Sequence, residues 1–242
     1  MTASPTPKGV RNNRLLNALP ASEFARIKPD LRPISLRSGE VLYESGGHIE
    51  FVYFPTSAII SRICTTENGA TAETGIIGND GLAGIALFLG GETTPNREIV
   101  QSAGSAFRMS ARAAQKEFGR GGAFQQILLR YTQALMTQIS QTAICNRLHS
   151  VEQHLCRWLL INHDLLEEDK MVMTHETIAH MLGARRGSIS EAAGRLQAKG
   201  LISYVRGIII MRDRKGLETS VCECFQVVKD EYCRLLGQQI VQ

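Results

Sequence analysis

Hydrophobic and polar positions follow two different periods along the chain, changing near Gly121-Gly122. Before that point, short β-branched or aromatic segments at 41–43, 51–54 and 58–63 are separated by Gly39, Gly46-Gly47 and Pro55, the pattern of short strands joined by turns. Asn68-Gly69, between Ile63 and Ile76, is the strongest hairpin signal, since a type I′ turn needs positive φ at both central residues. Many short strands spaced this way predict a small all-β roll. A short helix over about 17–27 precedes them, and the polar start, MTASPTPKGVRNNR, reads as a loose tail over 1–16.

After Gly122 the period becomes helical: Phe124, Ile127, Leu128, Tyr131, Leu135, Ile139, Ile144 and Leu148 recur at spacings near three and four. Neither proline nor glycine interrupts 123–148, which predicts a rod of roughly 40 Å. Its apolar stripe packs either on its own β-domain or on a second copy. The second reading is favoured because the stripe outlasts the reach of a small roll. Ser150-Val-Glu-Gln153 has the form of a capping box and starts a new helix, with Leu155, Trp158, Leu159 and Ile161 or Leu165 inward and the acidic stretch 167–169 at its end. The break at His149-Ser150 is a candidate hinge.

The segment 174–201 carries the most information. Thr174 can cap a helix with Ile178, Ala179 and Leu182 inward, and Gly183 suits its stop. A second helix from about Arg186 turns Ile189, Ala193 and Leu196 inward and ends at Gly200. Helix, short glycine turn, helix is the helix-turn-helix arrangement, although a plain helical hairpin with a solvated face fits the same pattern. Arg185, Arg186, Ser188, Glu191 and Arg195 form the outward face of the second helix. Arginine pairs with guanine O6 and N7, serine meets a base or phosphate, and glutamate accepts from cytosine N4. The next stretch, 201–211, reads as strand, tight turn, strand, with Arg206 at the tip to meet phosphate. A wing directly after the second helix favours DNA binding over the hairpin.

Composition bounds these readings. The chain has 242 residues, 43% hydrophobic and 21% charged, enough for two small domains with their own cores. No apolar run approaches a membrane span and the start lacks a signal-peptide core, so a soluble, cytoplasmic protein is expected. Six scattered cysteines read as free thiols used as small apolar residues. The net charge is only +4, but 185–215 holds eight Lys or Arg against Glu191 and Asp213, a concentration that attracts phosphate.

With these elements assembled, THETIAHMLGARRGSISEAAGRLQAKGLI, the roll and the long helix together resemble the Crp/Fnr family of transcription regulators, over about 19–236. The resemblance implies an α+β fold. An N-terminal β-roll of the double-stranded, jelly-roll type would be a cyclic-nucleotide-binding-like effector domain at 17–120, followed by a dimerisation helix at 121–149 and a winged helix-turn-helix DNA-binding domain at 150–242. It further implies a homodimer on palindromic double-stranded DNA, half-sites one helical turn apart, and RNA polymerase as a partner. Reorientation of the DNA-binding domains at the hinge would be the switch. A membrane partner and an enzymatic activity are not expected, since no nucleophile–base pair or metal motif stands in a recognisable context. The alternative from another class is a small-molecule sensor whose helix-turn-helix contacts protein.

The carry-over departs from the family at two places. Well-known members show Arg-Glu-x-x-x-Arg in the recognition helix; here Arg186 fits the guanine-reading position, Gly187 replaces the glutamate and Glu191 the second arginine, which changes the expected operator. Cyclic-nucleotide members hold ribose and phosphate with Gly-Glu-(Leu/Ile)-Ala and a later Arg-(Ser/Thr)-Ala. Here Gly84-Ile85-Ala86-Leu87 lacks the glutamate, and Thr94-Pro95-Asn96-Arg97 has its arginine displaced. Gly84, Ile85, Asn96 and Arg97 are therefore candidate effector residues of a degenerate pocket that fits cAMP poorly. A cyclic nucleotide or cyclic dinucleotide, another ligand, or none remain the alternatives, and no cofactor is assigned.

An N-terminal iron–sulfur centre is excluded, because the first cysteine is Cys64. Cys145, His149, His154 and Cys156 resemble a metal set on paper, yet 145 and 156 would lie three turns apart on a helix. Cys222-x-Cys224 is expected to point its sulfurs apart on a C-terminal helix. Core packing is the reading for all of them, no metal site is expected, and haem through His48 or His149 has no motif behind it. Gly78-x-x-Gly81-x-x-Gly84 lacks Rossmann and P-loop spacing and reads as turn glycines of the roll.

Overall fold

The computed structural model describes residues 9–166 and 168–237. The first half is a roll of two antiparallel sheets. One has the order β1 (Arg32–Leu36), β7 (Gly104–Ser110), β3 (Phe51–Pro55); the other runs β2 (Val41–Tyr43), β6 (Arg97–Ser102), β4 (Ile59–Thr65), β5 (Thr71–Ile77). Val52, Phe54, Ile60, Ile77, Val100 and Met109 fill the space between them. The β4–β5 hairpin forms as expected, but with a different turn: Gly69 has φ 82°, whereas Asn68 closes the loop by accepting the Ala70 N–H on its side chain. Positive φ at two successive residues, the type I′ requirement, occurs instead at Arg206 (49°) and Gly207 (79°).

The expected tail is shorter than 1–16. Residues 1–8 lie outside the described residues, but α1 (Arg14–Asn17) is helical, with Leu15 and Leu16 in the core. Asn13 anchors it, donating to Pro55 O and Gly81 O and accepting from Leu16 N–H. The predicted short helix is α2 (Ala21–Ile27), and its Glu23 has a task that sequence did not reveal. Gly122 offers no side-chain cap to the long helix α4 (Ala123–Leu148), so the Glu23 carboxylate accepts the N–H groups of Ala123 and Phe124, both at 2.9 Å. Those two bonds hold Glu23 below the usual carboxylate range. Between roll and rod lies α3 (Ala111–Phe118), capped by Ser110.

The 26 residues of α4 match the expected 123–148, but the stripe is used differently. Phe124, Leu128, Tyr131 and Leu135 are buried within the chain's own core, as is the α9 (Cys224–Leu236) face of Val228, Tyr232 and Leu236, one turn apart. Tyr131 and Tyr232 meet edge-on at 6.5 Å. The seam expected from this stripe is thus largely an intrachain one, and α9 returns to the rod rather than completing the DNA-binding unit over 150–242. The apolar residues that α4 leaves uncovered are the last two of that stripe, Ile144 and Leu148, with Leu129 and Met136 from outside it; Leu129, Met136, Ile144 and Leu148 are 48%, 64%, 41% and 71% exposed.

Beyond His149, whose backbone is extended, α5 (Val151–Leu166) opens with both halves of the predicted capping box: Gln153 N–H to Ser150 Oγ, and Ser150 N–H to Gln153 Oε1. Of the acidic stretch expected to end α5, Glu167 lies outside the described residues. Then follow β8 (Lys170–Val172), α6 (His175–Leu182), α7 (Arg186–Ala198), β9 (Ile202–Val205), β10 (Ile208–Met211) and α8 (Arg214–Ser220). β8 is a third wing strand, pairing with β10 on the side away from β9; three residues were too few to read from sequence.

A buried polar chain joins the roll to α5. Trp158 Nε1–H donates to Glu73 Oε1 at 3.1 Å, and Ser61 Oγ lies 2.5 Å from Glu73 Oε2 and 2.8 Å from Gln101 Oε1. The Gln101 amide donates to Asn162, whose own amide donates to Trp158 O. Burial raises the Glu73 carboxyl to about 7. Among the described residues no helix is long and apolar enough to cross a membrane.

Candidate nucleic-acid interface

Local sequence builds the two crossed helices. Thr174 Oγ1 accepts the Thr177 N–H to start α6, and Gly183, at φ 60°, ends it. Ile178, Ala179 and Leu182 of α6 share one core with Ile189, Ala192, Ala193 and Leu196 of α7. This inward set is the predicted one, with Ala192 added. The wing is fastened to α7 by the Gln197 side chain, which accepts the Tyr204 N–H at 2.7 Å. Behind that bond, His175 stacks on Tyr204 at 3.9 Å and its Nδ1 meets Ser190 Oγ at 2.9 Å. Burial and the nearby Arg186 charge lower the His175 pKa, so the ring that braces the wing is held toward its neutral form.

The predicted contact residues separate into two groups. Arg185 is the N-cap of α7 and Arg186 its first residue; both are exposed, and neither forms an ion pair with a described residue. No carboxylate occupies the first turn and no side chain caps it. Two arginines at the positive end of a helix are electrostatically unfavourable by themselves, by about 0.3–1 kcal/mol each. The arrangement suits an external polyanion, which free N–H groups and guanidinium groups can bind together. Glu191 is exposed on the same helix, Ser188 is half-buried, and Arg206 stands exposed at the wing tip.

Arg195 is employed differently. Its Nε lies 2.6 Å from Glu152 Oε2, with Lys199 Nζ 2.6 Å from the other oxygen, so Glu152 of α5 holds the C-terminal half of α7 in place. Arg214 is likewise bound to Asp164 at 2.6 Å and Glu218 at 2.9 Å. Three of the eight cations in 185–215 thus pair with carboxylates, Arg195 and Lys199 while still 52% and 55% exposed, whereas Arg185, Arg186, Arg206, Arg212 and Lys215 form no ion pair with a described residue.

Sequence reading passed over the smoothness of this helix. Gly187 and Gly194, seven residues apart, share its outer face, and a Cβ at either position would meet nothing within 4 Å. Glycine inside a helix costs roughly 0.5–1 kcal/mol against alanine, so two on one face call for a reason outside the fold. Close approach of an external partner to the helix backbone would supply it. Gly194→Ala is expected to raise stability by about 0.5–1 kcal/mol while weakening DNA binding. Thermal melting and a duplex titration of the same preparation check this; a more stable variant with unchanged affinity would put the α7 backbone away from the DNA.

The four candidate effector residues do not converge on one pocket. Gly84, at φ 91°, donates its N–H to Glu98 Oε2 at 3.1 Å, and Glu98 is held by Arg62 at 2.8 Å. Ile85 is buried in the roll core. Tyr43 fills the space over Gly84, where a Cβ would lie 2.6 Å from its hydroxyl, and donates to Phe51 O. Arg97 turns to the rim and pairs with Glu44 at 3.0 Å, while Asn96 bonds Thr94 and Cys64. The N–H and guanidinium that a cyclic phosphate would require are thus both engaged by the chain's own carboxylates.

The cysteines and histidines read as core packing are also regrouped. His154 is buried, with its pKa lowered to about 4 by burial and Arg157, and Cys156 is a core thiol raised to about 12. Cys145 and His149 instead meet Cys222 and Cys224, and the ligand atoms of these four lie within 4.8 Å of one another. The expectation that Cys222 and Cys224 diverge assumed a continuous helix. In fact α8 ends at Ser220, Val221 is extended and α9 starts only at Cys224, so the two sulfurs turn to the same side.

A β-roll, a long connecting helix and a winged helix-turn-helix with an outward cationic helix start define a winged helix-turn-helix architecture. Residues 153–220 match the Crp-like helix-turn-helix domain family, and the chain has the Crp/Fnr architecture. Among solved structures, FixK2 from Bradyrhizobium japonicum has 15% identity and a TM-score of 0.68, covering 79% of this chain and 98% of its own. The c-di-GMP-responsive global regulator CLP of Xanthomonas campestris has 16% identity and a TM-score of 0.61, covering 79% and 99%. A CRP-family transcriptional regulator from Thermus thermophilus has 16% identity and a TM-score of 0.62, covering 78% and 95%. No curated protein sequence matches the chain.

Proposed function

We propose that this protein is a cytoplasmic, sequence-specific regulator of transcription that binds a palindromic duplex as a homodimer and acts through RNA polymerase, without catalysis of its own. Arg186 reads guanine, Glu191 accepts from a cytosine amine, and Ser188 and Arg185 meet bases or phosphates at the start of α7. Arg206 holds the backbone from the wing. The observation that carries this reading is the uncapped, cationic start of α7 beside a smooth glycine face, in a domain of Crp-like type. The filled roll interior argues that cAMP is not the effector. Selection from a random duplex pool is expected to return a two-fold symmetric sequence with half-sites about 34 Å apart. Recovery of no enriched sequence would overturn the proposal.

The dimer seam in this reading is the uncovered face of α4, where Leu129, Met136 and Ala143 follow at seven-residue intervals beside Ile144 and Leu148. Leu129→Glu with Met136→Glu is expected to convert the protein to monomers in sedimentation velocity. Loss of the second half-site then lowers affinity for the palindrome by at least about 100-fold. A double variant that sediments like the wild type would place the seam elsewhere.

A further inference from the structure

Two pairs of residues distant in sequence converge at the hinge. Cys145 stands on the last turn of α4, and His149 is the extended residue that closes the helix, its N–H donating to Cys145 O. Cys222 and Cys224 belong to the bend between α8 and α9. Cys145 Sγ lies 3.6 Å from Cys222 Sγ, and Cys224 Sγ lies 3.5 Å from His149 Nδ1. A tetrahedral zinc ion with Zn–S near 2.3 Å and Zn–N near 2.0–2.1 Å has edges of about 3.8 Å between sulfurs and about 3.5 Å between sulfur and nitrogen. We propose that Cys145, His149, Cys222 and Cys224 bind one thiophilic divalent cation, zinc foremost, as a Cys3His site that clamps the end of α4 to the α8–α9 bend.

Three further observations agree. The other ring nitrogen of His149 is 3.4 Å from Glu223 Oε1, the carboxylate–histidine–metal relation that fixes the tautomer and orients the ring. All three sulfurs are buried together, with the partly buried Val221 packed against them, and thiols alone are weak hydrogen-bond partners for one another. Arg157, only 4% exposed, forms no ion pair with a described residue, and its Nε has no hydrogen-bond partner. Its charge bears on Cys145 and Cys224 as well as on Glu73, which burial holds toward its neutral form. A buried cation calls for a compensating anion, and three thiolates around a divalent ion carry one net negative charge. Binding releases the thiol protons to solvent.

Competing uses of these residues fit less well. A disulfide between Cys145 and Cys222 would leave Cys224 and His149 without a role. An iron–sulfur cluster distributes its thiolates over several irons, whereas this set converges on one point. The clamp also has a clear mechanical meaning. It joins the point where the roll's helix gives way to the DNA-binding domain with the point where that domain gives way to α9.

The test is Co2+ loading of the full-length, reduced, metal-stripped protein. The expected result is one Co2+ per chain with tetrahedral ligand-field bands and thiolate charge transfer, displaced by Zn2+, and one zinc in the protein as purified. Cys145→Ser with Cys222→Ser is expected to lose binding, and buried Cys156→Ser to keep it. Glu223→Gln, at an exposed position, is expected to weaken Co2+ binding about 10-fold. His149→Cys is expected to retain the ion with stronger charge transfer, which separates loss of a ligand from loss of the fold. An octahedral Co2+ spectrum in the wild type, or a tetrahedral one that survives the double serine variant, would overturn the site.

Discussion

Replacing Arg186 with alanine is expected to lower affinity for the selected duplex by about 5- to 150-fold, corresponding to about 1–3 kcal/mol, and to relax discrimination at one base pair. The side chain is exposed, lies at the first position of α7 and makes no ion pair with a described residue, so its loss removes nothing from the folded core. Alanine is a better helix former, and it removes a cation from the positive end of the dipole. Stability should therefore hold or rise slightly while binding falls. Arg195→Ala is the informative contrast. It breaks one of the two contacts to Glu152, a partly exposed pair worth no more than about 1 kcal/mol, and it leaves the start of α7 intact. If Arg195→Ala proved the more damaging to base discrimination, the groove-facing side of α7 would have been assigned to the wrong half of the helix.

Glu73→Gln is expected to stabilise the protein at pH 8 by an amount on the order of 3 kcal/mol, and at pH 5 by less than about 1 kcal/mol. The hydrogen-bond chain explains why. Ser61 has one proton to offer, yet its oxygen contacts acceptors on both Glu73 and Gln101. With Glu73 protonated, every link has a donor: Glu73 to Ser61, Ser61 to Gln101, Gln101 to Asn162, Asn162 to Trp158 O. With Glu73 ionised, one link fails and a charge is buried. Burial is the leading cause of its rise from 4.5 to about 7, against opposing bonds from Ser61 and Trp158 and the charge of Arg157. Well below pH 4.5 the group is neutral in folded and unfolded chains alike, and well above pH 7 it is charged in both. Across that window the unfolded chain loses its proton first, so stability falls as pH rises and stays low beyond it. Glutamine keeps the amide donor and carbonyl acceptor without the charge. Urea unfolding at both pH values checks this; a variant less stable than wild type at pH 8 would mean that the carboxylate is needed as an anion.

The structure matches sequence reading where contacts are local. The capping box at Ser150, the stops at Gly183 and Gly200, the inward faces of α6 and α7, and the limits of α4 all follow from residues within a turn or two of one another. What sequence concealed depends on partners far along the chain. The apolar stripe of α4 was visible, but α9, nearly 100 residues later, is what covers part of it. The charge of Arg195 is visible in sequence, but its partner Glu152, 43 residues earlier, is not. The cysteines were visible, but a bend at Val221 brings them 77 residues back to the end of α4. Gly187 reads in sequence only as a departure from a motif. Its meaning emerged with Gly194 on the same open face.

The central claim, that the start of α7 and the wing engage duplex DNA, is tested most directly by fluorescence anisotropy with the selected duplex and a scrambled one over a range of salt concentrations. Several phosphate contacts predict that the logarithm of the binding constant falls linearly with the logarithm of salt concentration, at a slope of about −0.9 per phosphate neutralised. The selected duplex is predicted to bind at least about 1,000-fold tighter than the scrambled one at physiological salt. Binding that ignores salt, or equal affinity for the two duplexes, would contradict the account.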